Sequence, residues 1–559
     1  MNSIKDYQTF ELGDWKTQVE ERLKLWKKQG FSRRMWAKDP TLWFSKPQPE
    51  IMDRLGWLVL PEMMRDNLEE LSSFAEQIKD EGISHVVLLG MGGSSLAPDV
   101  FQKTFGNAPG YPGLLVLDST HPSAVLSVGD KLDLNRTLFI VSSKSGTTLE
   151  TLSLFRYFWN KVRLNTDAPG KHFIAITDSG TPLMKLAQER GFRRVFEANP
   201  DVGGRYSALT YFGMVPAALI GMDIHKLLDR ARIASENCSF CISEEKAAGF
   251  ILGASLGEIC RDRNKLTFIA SDSIKSFPDW LEQLIAESTG KDGKGILPVA
   301  GEPLVSVEEY GQDRFFVFMT LAGENDKELE DRMNALKQTG HPLVRIELSD
   351  KFDLGREIFF WEVAVASAGS VLGIHPFNQP DVQLAKDFAK KAMEKIGIEK
   401  EESDEETWSV DEPEILAQAL KDWMGQAMPG DYIALQAYLP PLEETTEALQ
   451  DIRLELLKRA RLATTLGYGP RFLHSTGQLH KGGPNSGLFL QVVDEPNIDL
   501  PVPETDYDFK ALIKAQSLGD YQALMERERR VLRINLETDV QKGLERLYSI
   551  ITKLVGLFT

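Results

Sequence analysis

Residues 86–98 read VVLLGMGGSSLAP, an apolar run that ends in a glycine-rich turn and continues into helix-forming residues. A short apolar run bounded by a turn predicts a buried strand, and the glycines allow a tight turn into a helix. Three further strands are predicted downstream, each after a helical stretch: LLVLD at 114–118, LFIVS at 138–142 and FIAIT at 173–177. Strands that alternate with helices predict an α/β unit with a parallel sheet.

The same alternation starts again near residue 240, so the sequence predicts a second, similar unit. Its predicted strands are TFIAS at 267–271, RFFVFMT at 314–320 and PLVRIEL at 342–348. Nine acidic residues and one lysine between Glu399 and Glu414 indicate a solvated linker. Beyond it, the predicted strands at 431–438 and 487–493 with periodic helices indicate a third, smaller α/β unit.

Five of the ten tryptophans fall within the first 57 residues among polar neighbours, which indicates an arm packed on a larger body. The predicted division of the chain is therefore a helical arm, two α/β units with helices on both faces of their sheets, a linker and a C-terminal α/β unit. In residue numbers these are 1–60, 61–238, 239–398, 399–414 and 415–559.

Composition excludes several classes of protein. At 559 residues the chain is long enough for several domains, and its net charge of −18 argues against a nucleic-acid surface or an anchor on an anionic membrane. No run approaches the ~18 apolar residues of a membrane span, and no signal-peptide pattern opens the chain. Because only three cysteines are present, we expect a reducing compartment and hence a cytoplasmic protein.

The three cysteines also bear on metal binding. Cys238 and Cys241 form a CxxC pair, but no second pair completes a four-ligand zinc site. We interpret these cysteines as ordinary helix residues.

The first candidate site is the glycine-rich turn of residues 90–98. Glycines allow a ligand to approach the backbone, and a helix that begins at Ser94 or Ser95 would direct free amides at an anion. Gly90-x-Gly92 with Asp118 after the next strand also permits a dinucleotide site, although Ser95 replaces the third glycine of that fingerprint. A P-loop is excluded because the Gly-Lys-Ser/Thr ending is missing, whereas a plain tight turn stays open.

The second candidate is the run SSKSGTT at 142–148, which places five hydroxyls and one ammonium after a predicted strand. Thr147 and Glu150 have the spacing of a capping box, so a helix is predicted to begin there with its amides facing the loop. Hydroxyls and amides at a helix start suit a phosphate monoester, without a metal. The alternative is a well-capped turn, which explains Thr147 and Glu150 but not Ser143, Ser145 and Gly146.

The third candidate lies on the predicted helix FPDWLEQLIAEST at 277–289. Gln283 and Glu287, four positions apart, share one face of this helix. Glu287 falls in the last turn, where the helix dipole disfavours a carboxylate by roughly 0.3–1 kcal/mol. A carboxylate of raised basicity suits the abstraction of a proton next to a carbonyl. The alternative is an exposed glutamate at a frayed helix end.

Taken together, these segments resemble the glucose-6-phosphate isomerase family, whose fold consists of two sugar-isomerase (SIS) domains. The resemblance covers roughly residues 85–390. Its motifs are GMGGSSLAP, FIVSSKSGTTLET, DVGGRYSALT, EQLIAESTGK, GIHPFNQPDVQLAK and, further on, LHSTGQ. The arm and the order of the C-terminal part are most similar to the isomerase half of fused transaldolase/isomerase proteins.

The resemblance implies a role for each matching residue. Arg205 would stabilise the negative charge of an enediolate, Gln283 would contact the sugar, and Glu287 would be the general base that moves a proton between C2 and C1. The residues expected to bind or flank the sugar phosphate are Gly93, Ser94, Ser143, Lys144 (through its backbone), Ser145, Thr147 and Thr148.

Ring opening would fall to Lys386 and His474, which match the lysine and histidine motifs. Here the chain departs from the family, because LHSTGQ follows both the glutamate and the lysine motifs instead of lying between them. His480 is a nearby rival for His474. His375, where the family usually has Asn, is a minor second candidate.

We therefore expect an aldose–ketose isomerase that interconverts glucose 6-phosphate and fructose 6-phosphate through an enediolate, without metal or redox cofactor. The resemblance further implies a homodimer with a hexose 6-phosphate substrate, and the negative net charge argues against a nucleic-acid or membrane partner. Two alternatives stay open at this point: a non-catalytic SIS-type sensor of sugar phosphates and an NAD-dependent dehydrogenase that uses Gly90 to Asp118.

Overall fold

The computed structural model describes residues 8–324, 327–396 and 406–554. Fifteen strands occur within these ranges. They are β1 (Gln8–Glu11), β2 (His85–Leu89), β3 (Gly113–Leu117), β4 (Thr137–Ser142), β5 (Phe173–Asp178), β6 (Arg194–Ala198), β7 (Lys265–Ala270), β8 (Leu297–Val299), β9 (Arg314–Leu321), β10 (Leu343–Leu348), β11 (Trp408–Ser409), β12 (Tyr432–Tyr438), β13 (Ala463–Tyr468), β14 (Gly487–Val493) and β15 (Arg530–Asn535).

The α-helices of the same ranges cover the sheets. Those of the arm and the first unit are α1 (Lys16–Gln29), α2 (Phe31–Trp36), α3 (Leu60–Met63), α4 (Leu68–Asp80), α5 (Leu96–Phe105), α6 (Pro122–Gly129), α7 (Leu149–Arg163), α8 (Pro182–Glu189), α9 (Tyr211–Leu219) and α10 (Ile224–Asn237). The remainder are α11 (Ala248–Ile259), α12 (Phe277–Thr289), α13 (Lys327–Gln338), α14 (Leu354–Leu372), α15 (Gln383–Ile396), α16 (Pro413–Met424), α17 (Glu443–Ala460), α18 (Gly477–Gly482), α19 (Phe509–Glu526) and α20 (Val540–Lys553).

The first sheet is parallel throughout, with the spatial order β3-β2-β4-β5-β6. The four predicted strands are confirmed to within one or two residues at their ends, and β6 is an additional edge strand. The chain order reverses between β2 and β4, and in such sheets ligands bind beyond the carboxyl ends of the strands at this switch point. The glycine-rich turn follows β2 and the SSKSGTT run follows β4, so both leave the sheet at that point.

The second sheet has the order β8-β7-β9-β10-β1. Its strands β7 to β10 are parallel, whereas β1 pairs antiparallel with β10, for example Phe10 opposite Val344. The N-terminal arm is thus not purely helical as predicted. Its short alternating stretch QTFE was too weak a pattern to be recognised, and it becomes a strand because it completes an open sheet edge.

The third sheet, β13-β12-β14-β15-β11, is parallel and repeats the arrangement of the other two. The two predicted strands are β12 and β14. The strands β13 and β15 were missed because ATTLGY and RVLRIN carry threonines and arginines among the apolar residues. Four strands of each sheet follow the same order, namely β3-β2-β4-β5, β8-β7-β9-β10 and β13-β12-β14-β15. In each set the strand that comes second along the chain is at the edge, and the third and fourth follow on the other side of the first.

The structure also bears on the predicted acidic linker, the cysteines and the expectation about membrane spans. The acidic segment 399–414 lies outside the described residues up to position 405, and from 406 onward it contains β11 and the start of α16. Cys238 and Cys260 are buried at the ends of α10 and α11, and Cys241 is exposed. Over the described ranges, no helix has the length and apolar content that a membrane crossing needs.

Candidate active site

A loop of hydroxyl groups follows β4 at residues 143–148. Ser143 Oγ lies 2.8 Å from Thr148 Oγ1, and Ser145 Oγ lies 3.0 Å from Thr147 Oγ1. Gly146, at φ +67°, donates its amide to Ser143 Oγ over 3.1 Å, so the loop folds back on itself. Ser145 and Thr147 are exposed at its mouth. The Lys144 ammonium instead pairs with Asp178, which leaves only the backbone of Lys144 facing the loop.

The predicted capping box of Thr147 and Glu150 is wrong. Helix α7 begins at Leu149 with Thr148 as its N-cap, and no side chain accepts a hydrogen bond at this cap. The Glu150 carboxylate is instead buried, with Oε1 lying 3.1 Å from Nε2 of His474 and accepting a hydrogen bond from the Gln516 amide at 2.9 Å. The side chain of Thr148 therefore does not occupy the amides at the start of α7, which are donors of the kind that bind anions.

Burial acts to raise the pKa of Glu150, but the neighbouring His474 and the charge of Lys386 outweigh it, and the net effect lowers the pKa below 4.5. Replacement by Gln keeps the size of the side chain and removes the charge. A depressed pKa in the folded state stabilises the protein above the unfolded-state value, and this contribution is lost as the pH falls through the lowered pKa.

We therefore expect Glu150→Gln to reduce the free energy of unfolding by about 1.5–3 kcal/mol near pH 7, the range for hydrogen bonds to charged groups. The gap between wild type and variant should narrow as the pH falls below 4.5. Urea titrations of both proteins at pH 7, 5 and 3.5 measure this difference in the free energy of unfolding. A gap that stays constant across this range would show that the ionised Glu150 is not stabilised by its surroundings.

The glycine-rich turn is packed tightly between other loops of the site. A Cβ on Gly93 would lie 2.1 Å from the carbonyl oxygen of Gly204, so a side chain is excluded there. Gly92 has a φ of +54°, and a Cβ on it would lie 2.7 Å from the His474 carbonyl oxygen and 2.9 Å from Gln283 Nε2. Ser94, which is buried, accepts a hydrogen bond through its carbonyl oxygen from Ser142 Oγ at 3.1 Å.

The dinucleotide interpretation of this turn is not supported by its surroundings. Asp118 Oδ2 accepts a hydrogen bond from Ser95 Oγ at 3.3 Å and lies 3.2 Å from Arg471 Nε. A carboxylate already bonded in this way is occupied, whereas the fingerprint needs it to bind a ribose hydroxyl.

Glu287 and Gln283 lie on one face of α12, as predicted, and both are buried. Gln283 Nε2 donates to Glu287 Oε2 at 3.1 Å and to the carbonyl oxygen of His474 at 2.7 Å. Gln283 therefore connects the carboxylate to the segment that carries the histidine. The interpretation of Glu287 as an exposed residue at a frayed helix end is excluded.

Arg205 lies beside Glu287, in a 3-10 turn of the GGRYS motif (Gly204–Tyr206). Its Nη2 is 3.5 Å from Glu287 Oε1, and its Nη1 donates to the Glu287 carbonyl oxygen at 2.5 Å. Only 3% of the residue is exposed, so the guanidinium is a fixed positive charge beside the carboxylate. Its other hydrogen bonds go to the segment 376–379.

His474 comes from the third unit, in a 3-10 turn after β13 (Arg471–His474). Arg471 fixes this turn to the first unit, with Nη2 3.0 Å from Asp99 Oδ2 and Nε 3.2 Å from Asp118 Oδ2. The imidazole therefore reaches Glu150 from the same chain, 324 positions away. The rival His480 is buried, and its Nδ1 lies 3.2 Å from Gln436 Nε2, on the far side of the LHSTGQ segment.

Lys386 lies on α15 with an exposed side chain. Its positive charge contributes, after the effects of His474, to the lowered pKa of Glu150. His375 is not available for proton transfer. Its Nε2 is bonded to the Pro49 carbonyl oxygen at 2.7 Å, and its Nδ1 accepts hydrogen bonds from the amides of Phe377 and Asn378.

Three site residues were missed or assigned another role from the sequence. Glu150 was assigned to a helix cap, and Gln379 and Lys291 were missed. Gln379 accepts a hydrogen bond from Arg205 Nη2 at 2.8 Å, and the Lys291 ammonium donates to the His375 carbonyl oxygen. Lys291 is buried, and burial together with the charge of Arg205 holds its pKa well below 10.5. Gln379 and Lys291 lie inside quoted motifs, which was the available signal for both.

The acidic side chains of the site are paired with basic ones. Glu287 faces the Arg205 guanidinium, and Glu150 faces the His474 imidazole. Among the side chains of the described ranges, no group of three His, Cys, Asp or Glu residues is arranged to hold a metal ion.

Fold and site together define a SIS-type α/β protein, in which the hydroxyl-rich loop after β4 and the buried Glu287 come from two successive α/β units. A family model described as phosphoglucose isomerase matches residues 57–296. The glucose-6-phosphate isomerase of Mycoplasmopsis pulmonis is 30% identical over 400 residues, which cover 62% of this chain and 91% of that protein. The chain belongs to the glucose-6-phosphate isomerase family.

Two solved structures share the fold. A hypothetical protein of Thermus thermophilus has a TM-score of 0.58 at 24% identity, and the match covers 68% of this chain and 99% of that one. A glucose-6-phosphate isomerase of Chlamydia trachomatis has a TM-score of 0.51 at 18% identity, over 66% of this chain and 79% of that one. The resemblance stated from the motifs is thus confirmed at the level of family and fold.

Proposed function

We propose that the protein interconverts glucose 6-phosphate and fructose 6-phosphate, with the hydroxyl loop at 143–148 as the phosphate site and Glu287 as the general base. The observation that carries the proposal is a series of contacts through His474 that joins the loop side of the site to the base. It runs from Glu150 to the His474 ring, and from the His474 carbonyl oxygen through Gln283 to Glu287.

The first chemical step is the opening of the sugar ring. His474 Nε2 faces Glu150 Oε1, so the carboxylate can hold a proton on that nitrogen and leave Nδ1 as the acceptor. Lys386, which matches the family's lysine motif, supplies the second proton donor. These two groups move protons between the ring oxygen and O1, which gives the open-chain aldehyde.

The second step is the transfer of a proton between C2 and C1. Glu287 removes the proton from C2 of the aldose, and an enediolate forms with negative charge on its two oxygens. The Arg205 guanidinium, held beside Glu287, stabilises this charge. The proton on O2 moves to O1, and Glu287 then returns its proton to C1 to give the ketose.

A non-catalytic sugar-phosphate sensor fits the site less well. A sensor needs the phosphate loop, but it has no use for a buried carboxylate paired at 3.5 Å with a buried arginine. Such a pair is expensive to bury unless its charges are used.

An assay coupled to oxidation of glucose 6-phosphate tests the proposal. Fructose 6-phosphate supplied to the purified protein in the presence of EDTA should give glucose 6-phosphate, and no NAD should be reduced before the coupling enzyme is added. A protein that binds either hexose phosphate without converting it would be a sensor, and NAD reduction without the coupling enzyme would indicate a dehydrogenase.

Three expectations stay predictions. These are the homodimer, the cytoplasmic location and the similarity to the isomerase half of fused transaldolase/isomerase proteins.

A further inference from the structure

The segment His375–Gln379, which we call the strap, lies against Arg205. Four of its oxygens accept hydrogen bonds from the guanidinium: the carbonyl oxygens of Pro376 (3.4 Å), Phe377 (3.4 Å) and Asn378 (3.2 Å), and the Gln379 side chain (2.8 Å). A guanidinium has five N–H donors in a rigid plane. Its position relative to Glu287 is therefore set largely by where the strap lies.

His375 holds the strap in two ways. Its Nδ1 accepts hydrogen bonds from the amides of Phe377 (3.2 Å) and Asn378 (3.3 Å), which closes the turn that leads to Gln379. Because Nδ1 is an acceptor, Nε2 carries the proton and donates it to the Pro49 carbonyl oxygen at 2.7 Å. The ring is buried, and burial lowers its pKa, so the neutral form that these bonds require is favoured.

Pro49 belongs to the N-terminal arm, which contacts both loops around Arg205. On the strap side, the Trp43 ring packs edge-on against Phe377, with centroids 5.2 Å apart. On the other side, the arm forms an isolated bridge from Leu55 to Val202, and Trp57 stacks on Tyr206, next to Arg205. The arm therefore contacts both segments next to the Arg205 guanidinium, namely the strap and the segment that carries Val202 and Tyr206.

We propose that His375 is a positioning residue for Arg205, and that it ties the strap to the N-terminal arm so that the guanidinium is held at the enediolate position. This inference rests on the proposed function, because it assigns the arm a part in the same reaction. His375 itself touches neither the substrate nor the base. It acts through the four strap oxygens.

Two variants separate the hydrogen bonds at Nδ1 of the ring from the hydrogen bond at Nε2. In His375→Asn the side-chain oxygen can still accept from the amides two and three residues on, as in an Asx turn, but the side chain is too short to reach Pro49. In His375→Ala both are lost. Since a misplacement of 1 Å can lower a rate by about 10²-fold, we expect kcat to fall about tenfold in the first variant and about 100-fold in the second.

The expected effect is on the transition state. The phosphate loop is untouched in both variants, so KM should stay within about threefold of wild type. A sugar-acid phosphate whose planar carboxylate mimics the enediolate should bind more weakly, by a factor that follows the loss in kcat. A simple loss of folded protein would lower kcat per total protein and leave the inhibition constant of this analogue unchanged.

The matched control is Trp36→Phe. Like His375→Asn, it removes a hydrogen bond from a ring N–H to a backbone carbonyl oxygen at the arm. In wild type, Trp36 Nε1 donates to the Cys238 carbonyl oxygen at 2.9 Å, and this contact is not part of the site. We expect it to lower the thermal midpoint with kcat unchanged. An equal loss of kcat in this control and in His375→Asn would overturn the proposal, because any weakening of the arm would then suffice.

A double-mutant cycle with Arg205→Lys tests whether His375 acts through the arginine. If it does, adding His375→Ala to Arg205→Lys should lower kcat by less than about threefold, because the guanidinium that His375 positions is already absent. Fully additive losses would overturn the assignment. The wild-type rate measured alongside tests the proposed function separately, because an inactive wild type would refute the isomerase and not the strap.

Discussion

Glu287→Gln should lower kcat for the conversion of fructose 6-phosphate by about 10²- to 10⁴-fold, the usual contribution of a positioned general base. The substitution keeps the size of the side chain and its place on α12, and Gln283 can still donate to the new carbonyl oxygen. Only the ability to accept a proton from carbon is lost. Substrate binding should therefore stay within about threefold, because the phosphate site is untouched.

The measurement is a coupled assay for kcat and KM, with equilibrium binding of the substrate to the variant. Glu282→Gln is a suitable control, since Glu282 is the neighbouring carboxylate on the same helix and does not take part in the path to His474. Activity of Glu287→Gln close to wild type would remove Glu287 from the mechanism. A variant that no longer binds substrate would instead assign Glu287 to binding.

His474→Ala should lower the rate on the cyclic substrate by about 10²-fold and on an open-chain analogue that cannot close by less than about threefold. The imidazole is held by Glu150 at the phosphate side of the site, whereas proton transfer between carbons belongs to Glu287. A loss confined to the cyclic substrate is the mark of a ring-opening group. Equal losses on both substrates would argue against this role.

The same two variants show which subunit supplies the histidine. Glu150 and His474 meet within one chain, so each chain should contain a complete site. Co-refolding Glu287→Gln with His474→Ala should then restore no activity. If the histidine came from a neighbouring subunit, random dimers would recover about a quarter of the wild-type rate, since half of them would carry one intact site.

The local features of the site could be predicted because local patterns determine them. A strand followed by a hydroxyl-rich turn predicted the loop at 143–148, and the spacing of four on a helix predicted that Gln283 and Glu287 share a face. The same local reasoning failed at Glu150. A capping box is a contact within one helix turn, and the sequence could not show that the carboxylate is taken by a histidine of the third unit.

The role of Arg205 also could not be predicted from its local sequence. Nothing in GGRYS distinguishes it from a surface arginine, and its role came only from the resemblance. Its burial depends on the strap, which is more than 170 positions further along the chain. His375 was considered for ring opening because a histidine in a motif suggests chemistry, but both ring nitrogens are occupied by backbone groups.

The sequence by itself determined the alternating strands and helices, the hydroxyl-rich turn after β4 and the carboxylate near the end of α12, because each depends on residues within a few positions of one another. Only the tertiary structure decided that the third unit delivers His474 to Glu150 and that the strap and the arm enclose Arg205. These contacts join residues hundreds of positions apart, and their geometry is set by how the sheets pack, which no local pattern records.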